Sequence, residues 1–301
     1  MLRPALIALT LSIAAIARAE PPRVAVDIAP IQGLVAQVMG DLGTPDLLIT
    51  PGASPHDYRL RPSQAAALEA ADLVIWIGPE LTPWLARSLQ ILAPDAASIA
   101  VLDAPQTQSL DARDLAAFAA SEPGQSGDRG RDPHAWLDPV NAAIWIGLIA
   151  DALAGLDPEN SATYRANAAA ALADIATLQA EIAAQIAPVR TTPFIVFHDA
   201  YQYFETRFGL TPVGAIALSD ATSPGAARIE GLRALITERN VACVFSEPQF
   251  NAGLVDAVME GRAARTTVID PMGTGIAPGP GFYPQLLRDV AGAFVACLSG
   301  T

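Results

Sequence analysis

The chain has 301 residues, 51% hydrophobic and 16% charged, enough apolar material for a large packed core and too little charge for a disordered tail or a coiled coil. Its 18 basic residues are all arginine and face 31 acids, a formal charge of −13 that argues against a nucleic-acid binder and suits a cationic ligand. Three histidines and two cysteines exclude a zinc ribbon or finger and a disulfide-dense scaffold.

Residues 1–19 read as a secretory signal. Arg3 supplies the positive start, Ala5 to Ala17 is apolar without a charge, and Ala17-Arg18-Ala19 offers small residues at a cleavage site before Glu20. That apolar run is too short for a membrane span, which takes ~20 residues. Neither cysteine lies near the cleavage site, so the mature chain is expected to diffuse freely in the periplasm of a bacterium rather than hang from a lipid. Removal of the signal leaves 16 arginines against 31 acids. Cys243 and Cys297 would then meet an oxidising compartment, where pairing is the expected fate.

Strands are predicted at 23–28, 47–50, 73–77 and 98–102, with helices from Pro30 to Met39, Pro62 to Ala71 and Pro83 to Leu92 between them and another over 139–153. Short, doubly apolar strands alternating with helices imply a parallel sheet covered on both faces. Asp157 and Pro158 then start a long helix, with Tyr164, Ala168, Leu172, Ile175, Leu178, Ile182 and Ile186 on one face until Pro188 ends it. The pattern restarts with strands at 194–197, 212–218, 241–245 and 266–269, alternating with helices over 200–208, 224–239, 253–263 and 283–298. The expected architecture is α/β: a first lobe over 20–155, a linker helix over 156–188 and a second lobe over 189–301. Ligand sites in such sheets lie beyond the carboxyl ends of the strands.

All three histidines fall at such places. His56 follows the second strand, His134 immediately precedes a helix, His198 ends a buried strand, and Asp270 holds the corresponding place on a later strand. Three neutral imidazoles and a carboxylate make a donor set that suits tetrahedral Zn²⁺. Asp57, Asp138, Asp199 and Glu247 are candidates to accept the imidazoles' other ring N–H, Glu247 also being a candidate substitute ligand. Trp136 and Tyr201 are expected to pack around the site. A zinc hydrolase is the rival class, but a fourth protein ligand fills the place of a reactive water, and no His-Glu-x-x-His or Gly-x-Ser-x-Gly word occurs.

The words PGASPHDYRLRPS (51–63), DPHAWLDP (132–139), FHDAYQYF (197–204), SPGAAR (223–228) and FSEPQF (245–250) together resemble the periplasmic zinc-binding proteins of ABC importers, often called ZnuA-like, in order over essentially the whole mature chain. The resemblance implies two α/β lobes joined by one long helix and a zinc ion in the cleft between them. It also implies delivery to an inner-membrane permease driven by a cytoplasmic ATPase, by a carrier that is not an enzyme and is expected to be a monomer. Carried over by position, the metal ligands fall on His56, His134, His198 and Asp270, and a second-lobe disulfide on Cys243 and Cys297. Manganese-binding relatives place a carboxylate where His198 stands, so three imidazoles favour zinc. Many relatives carry a histidine-rich loop before the second ligand. Residues 104–133 hold no histidine and instead carry Asp111, Asp114, Glu122, Asp128 and Asp132.

Overall fold

The computed structural model describes residues 20–113, 130–217 and 224–300, so the predicted signal lies outside the described residues. Two four-stranded sheets, parallel throughout, carry the chain. The first runs β2-β1-β3-β4 and is made of β1 (Val24–Val26), β2 (Asp46–Leu47), β3 (Leu73–Trp76) and β4 (Ala97–Ala100). The second runs β6-β5-β7-β8, from β5 (Phe194–His198), β6 (Pro212–Ala217), β7 (Cys243–Ser246) and β8 (Arg265–Val268). One winding order therefore occurs twice, and in each sheet the order reverses beside the first strand, between β1 and β3 and between β5 and β7. The central strands β1, β3 and β5 are buried end to end, as their unbroken apolar runs require, while β4 and β8 at the edges are largely open.

Helices α1 (Ala29–Met39), α2 (Pro62–Glu69) and α3 (Pro83–Leu92) belong to the first sheet. Next come α4 (Pro139–Leu156) and α5 (Ser161–Ile186), then α6 (Gln202–Phe208), α7 (Ala226–Glu238), α8 (Ala252–Met259) and α9 (Phe282–Leu298) about the second sheet. Several strands are shorter than the sequence predicts. β2 is the clearest case, although Leu48 and Ile49 continue its ladder by donating to the Val26 and Asp27 carbonyls at 2.9 and 3.0 Å.

The long helix is 26 residues, preceded by a one-turn helix over Pro158–Asn160. Asp157 starts it as predicted, accepting from the Asn160 N–H, the Asn160 side-chain amide and the Tyr164 hydroxyl at 3.3, 2.7 and 2.8 Å. One residue of its predicted stripe is displaced: Leu172 is 38% exposed and Ala171 takes the buried place. α5 packs lengthwise on α4 and also touches α1 and α9, which come from opposite halves of the chain. A single hydrophobic cluster consequently runs from Val24 and Ile75 through Tyr164 and Leu178 to Phe194 and Phe294.

The crevice where the first sheet's order reverses is closed. Asp27, fully buried at the end of β1, accepts the N–H groups of Ile28 and Ile77, each at 2.8 Å, and so staples β1 to the end of β3. Burial pushes its carboxyl from 3.8 up to about 7, against the pull of those N–H groups. In the second half, Cys243 at the start of β7 is disulfide-bonded to Cys297 in the last turn of α9.

Closing that 54-residue separation stabilises the fold by ~4 kcal/mol on the chain-entropy account. The C243S/C297S double variant is expected to lose stability of that order in guanidinium denaturation, and an unmoved midpoint refutes the estimate. Asp27 gives a pH dependence. Because its folded value is raised, the fold favours the neutral acid, so this contribution is complete below about 3.8 and is lost as pH rises through about 7. Unfolding free energy should fall less steeply between pH 4 and 8 in Asp27→Asn than in the wild type, and equal slopes would exclude Asp27 as a source.

Candidate metal centre

His56 is carried by the loop after β2. Pro51 and Gly52 turn it, Gly52 at a φ of 82°, and a Cβ there would stand 3.3 Å from Cγ2 of Thr274 in the loop that follows Asp270. The far side is fastened by polar contacts. The Tyr58 hydroxyl lies 2.7 Å from the Thr50 hydroxyl, the Gln64 amide donates to it at 2.9 Å, and Trp84 Nε1 donates to the Pro55 carbonyl at 2.9 Å.

His134 sits in the turn before α4, and Asp132 holds it twice. Oδ1 of Asp132 accepts the His134 backbone N–H at 2.9 Å and lies 2.7 Å from its Nδ1. The intervening Pro133 favours an extended Asp132, which lets an aspartate side chain fold forward onto the residue two further on. Burial pushes the Asp132 carboxyl up to about 7, opposed by the His134 N–H and the Arg113 guanidinium.

His198 is the last residue of β5, and Glu247 follows the end of β7, so the two meet where the second sheet's order reverses. Glu247 Oε1 lies 2.8 Å from His198 Nδ1. Tyr201 is buried against the same pair, its ring centroid 6.4 Å from that of His198. Burial and the nearby Glu247 carboxylate push its hydroxyl well above the usual phenol range.

These pairings decide the chemistry of the other ring nitrogens. A carboxylate can only accept, so against an ionised Asp132 or Glu247 each Nδ1 is the donor and each neutral ring turns its accepting nitrogen, Nε2, toward the other. The Nε2 atoms of His134 and His198 face each other at 3.4 Å. Two nitrogens bound tetrahedrally to one zinc at its usual bond length stand about 3.3 Å apart, with ring centroids about 5.2 Å apart. The His134 and His198 centroids are 5.2 Å apart, and those of His56 and His134 are 6.0 Å apart. Ser54, Pro55 and His56 line one wall of the cavity they share, and Glu247, Gln249 and Phe250 another. It measures about 310 Å³ including solvent at its mouth, the low end of the ~300–1,000 Å³ that organic ligands occupy.

Asp270 does not line this cavity, although Gln249, Pro271 and Met272 around it do. Its Oδ1 accepts from Gln249 Nε2 at 2.8 Å and from the Met272 N–H at 2.9 Å, and its Oδ2 accepts from the Thr274 N–H at 2.6 Å. Gly273 turns this loop at a φ of 67°, where a Cβ would press within 2.8 Å of Phe282. Trp136 Nε1 donates to the Pro271 carbonyl at 2.9 Å, tying the loop to the turn that carries His134. The structure thus brings His134 and His198 to a common point, sets His56 beside them and leaves Asp270 off the cavity wall, bonded to Gln249 on it. Among the described residues no three His, Cys, Asp or Glu side chains close as they stand into a cage for an ion.

Of the predicted outer carboxylates, Glu247 backs an imidazole through Oε1. Asp138 caps α4 and is forked by Arg207 at 2.8 and 2.7 Å. Asp199 turns away from His198, as successive residues of an extended chain must, and pairs with Arg113, while Asp57 is exposed. Asp132 and Gln249 were missed. The Asp-Pro-His spacing signals Asp132, but nothing local marks Gln249, which meets Asp270 only through strand order.

A family model described as zinc-uptake complex component A, periplasmic, matches residues 24–297. The chain belongs to this ZnuA family. It is 42% identical to the high-affinity zinc uptake system protein ZnuA of Paracoccus denitrificans (strain Pd 1222) over 99% of both chains. It is 39% identical to that of Brucella suis biovar 1 (strain 1330), covering 93% of this chain and 92% of the relative. A crystal structure of a ZnuA deletion mutant plus zinc bound is similar with a TM-score of 0.78 at 27% identity, over 92% of this chain and 98% of that one. Family membership makes the chain a periplasmic solute-binding component of zinc uptake and not an enzyme.

Glu247→Gln leaves an amide against His198 Nδ1 that serves as a hydrogen-bond acceptor only in one orientation and carries no charge. Zinc affinity is expected to drop ~10–100-fold, the usual effect of losing a partner behind a ligand. A competition titration that finds wild-type affinity in this variant removes Glu247 from the site.

Proposed function

We propose that the chain takes up one zinc ion as cargo between the lobe over 20–155 and the lobe over 189–301, with 156–188 as the spine between them. The ligands are the imidazoles of His56, His134 and His198 and the carboxylate of Asp270, and the loaded chain docks on the permease of an ABC importer whose cytoplasmic ATPase drives entry. The observation that carries this reading is the pair of Nε2 atoms facing each other at tetrahedral spacing, each with its Nδ1 already against a carboxyl oxygen. Supporting it are the position of His56, whose centroid distance from His134 exceeds the tetrahedral value by under 1 Å, and the close approach of the His56 loop to the Asp270 loop, where a Cβ on Gly52 would stand 3.3 Å from Thr274 Cγ2. Three nitrogens and one oxygen favour zinc over harder, oxygen-seeking ions.

Capture and release need little motion of the lobes. Tyr203 takes the Leu110 N–H at 2.9 Å and donates to the Asp132 carbonyl at 2.7 Å, Arg207 clasps Asp138, and Trp136 holds Pro271. The moving parts are the two loops. We further propose that the mature chain starts at Glu20, carries no lipid and acts as a monomer.

The test is a zinc titration of chelator-stripped protein against a chromophoric competitor, alongside light scattering and intact mass of the periplasmic form. One zinc per monomeric chain beginning at Glu20 is expected. His134→Ala and His198→Ala should each weaken binding by more than the ~10–100-fold typical of an outer partner, with the fold retained. Wild-type affinity in either variant ends the assignment.

A further inference from the structure

Gln249 lines the cavity three residues beyond the end of β7. Its amide nitrogen lies 2.8 Å from Asp270 Oδ1 and 3.3 Å from the Thr274 hydroxyl, while its carbonyl oxygen is buried without a hydrogen-bond partner. A carboxylate has no hydrogen to give, so the group against Oδ1 must be the NH₂, and the orientation of the amide is settled. Burying a lone carbonyl is unfavourable. The charge-assisted bond to Asp270 outweighs it.

The consequence lies in the carboxylate. Each of its oxygens accepts along about two directions. Oδ1 receives both the Gln249 amide and the Met272 N–H, and Oδ2 receives the Thr274 N–H. One accepting direction remains, on Oδ2. We propose that Gln249 is a positioning residue that makes Asp270 a one-oxygen ligand and thereby sets the preference of the site for zinc over manganese. The inference rests on the ligand set proposed above. With Oδ1 occupied, the ion meets three imidazoles and one oxygen, a four-donor set that suits zinc. With Gln249 gone, a lone pair on Oδ1 is released, and both oxygens are free to chelate. The resulting five-donor, more oxygen-rich site suits a harder ion.

The test compares wild type, Gln249→Leu and Gln249→Ala, with Asp270→Asn as control, by competition titration with Zn²⁺ and with Mn²⁺ and by X-ray absorption at both metal edges. Thermal unfolding identifies any variant that fails to fold, and the second Gln249 variant then serves. Wild type should hold zinc with four donors. The Gln249 variants should show a fifth donor on manganese and a ratio of zinc to manganese affinity lowered ~tenfold or more, the scale on which outer partners act. If Asp270→Asn keeps wild-type zinc affinity, Asp270 is no ligand, and both the ligand set and this inference fall. If Asp270→Asn weakens zinc while the Gln249 variants keep the wild-type ratio and donor count, the role of Gln249 is overturned and the ligand set stands.

Discussion

Two imidazole nitrogens face each other across 3.4 Å, a spacing that a cation or a proton between them stabilises, and the interior of this protein is arranged to keep them so aimed. The constraint begins one layer out. Asp132 and Glu247 are buried carboxylates, costly to desolvate, and each spends an oxygen on an imidazole Nδ1. That choice of tautomer turns two ordinary histidines into a pair of donors converging on one point. His134 and Asp132 come from the segment before α4, His198 and Glu247 from the second sheet. The spacing between the nitrogens is thus a property of how the two halves are joined.

The joint is correspondingly stiff. α5 packs on helices from both halves, and one apolar cluster passes through it. Polar clasps add direction to this non-directional cohesion. Arg113 reaches across to Asp199 and to Glu205, 2.8 Å away, one guanidinium facing two carboxylates. Burial pushes Glu205 up to about 8, against the pull of the Arg113 guanidinium beside it. The Arg207 fork on Asp138 fastens α6 to the start of α4. A frame of this kind holds a 3.4 Å separation better than a hinge could, and it leaves loops as the adjustable parts.

The fold was legible because its signal is local and repeated. Doubly apolar runs such as Leu73–Trp76 and Phe194–His198 state a covered parallel sheet by themselves, and the Asp157-Pro158 start of the spine helix is a capping pattern. The three histidines were singled out by their places at strand and helix ends. Their partners were harder to name. Asp199 adjoins His198 in the chain but points elsewhere, whereas Glu247, 49 residues away, is the true neighbour because β5 and β7 lie side by side. Leu172 and Ala171 show the same limit: adjacent apolar positions on a helix differ by about 100° of rotation, and only the neighbouring helices decide which is covered.

The repeated winding order explains why the donors are so unequally mounted. Each sheet has a crevice where its order reverses, and such crevices are where α/β sheets gather ligands. In the first sheet Asp27 fills it by taking the Ile28 and Ile77 N–H groups, so a donor from that half must come from elsewhere, His56 from a loop and His134 from the turn before α4. In the second sheet the crevice is given to Glu247 and His198, on strand ends that the core holds fast. Two nitrogens therefore stand on rigid supports at the tetrahedral spacing, while His56 and Asp270 ride on loops that approach each other at Gly52 and Thr274, where a Cβ on Gly52 would stand 3.3 Å from Thr274 Cγ2. In the proposed site an ion meets the fixed pair first and gains the loop donors afterwards. Release in the reverse order requires that the two loops be drawn aside, and they run close enough at Gly52 and Thr274 for the movement of one to bear on the other.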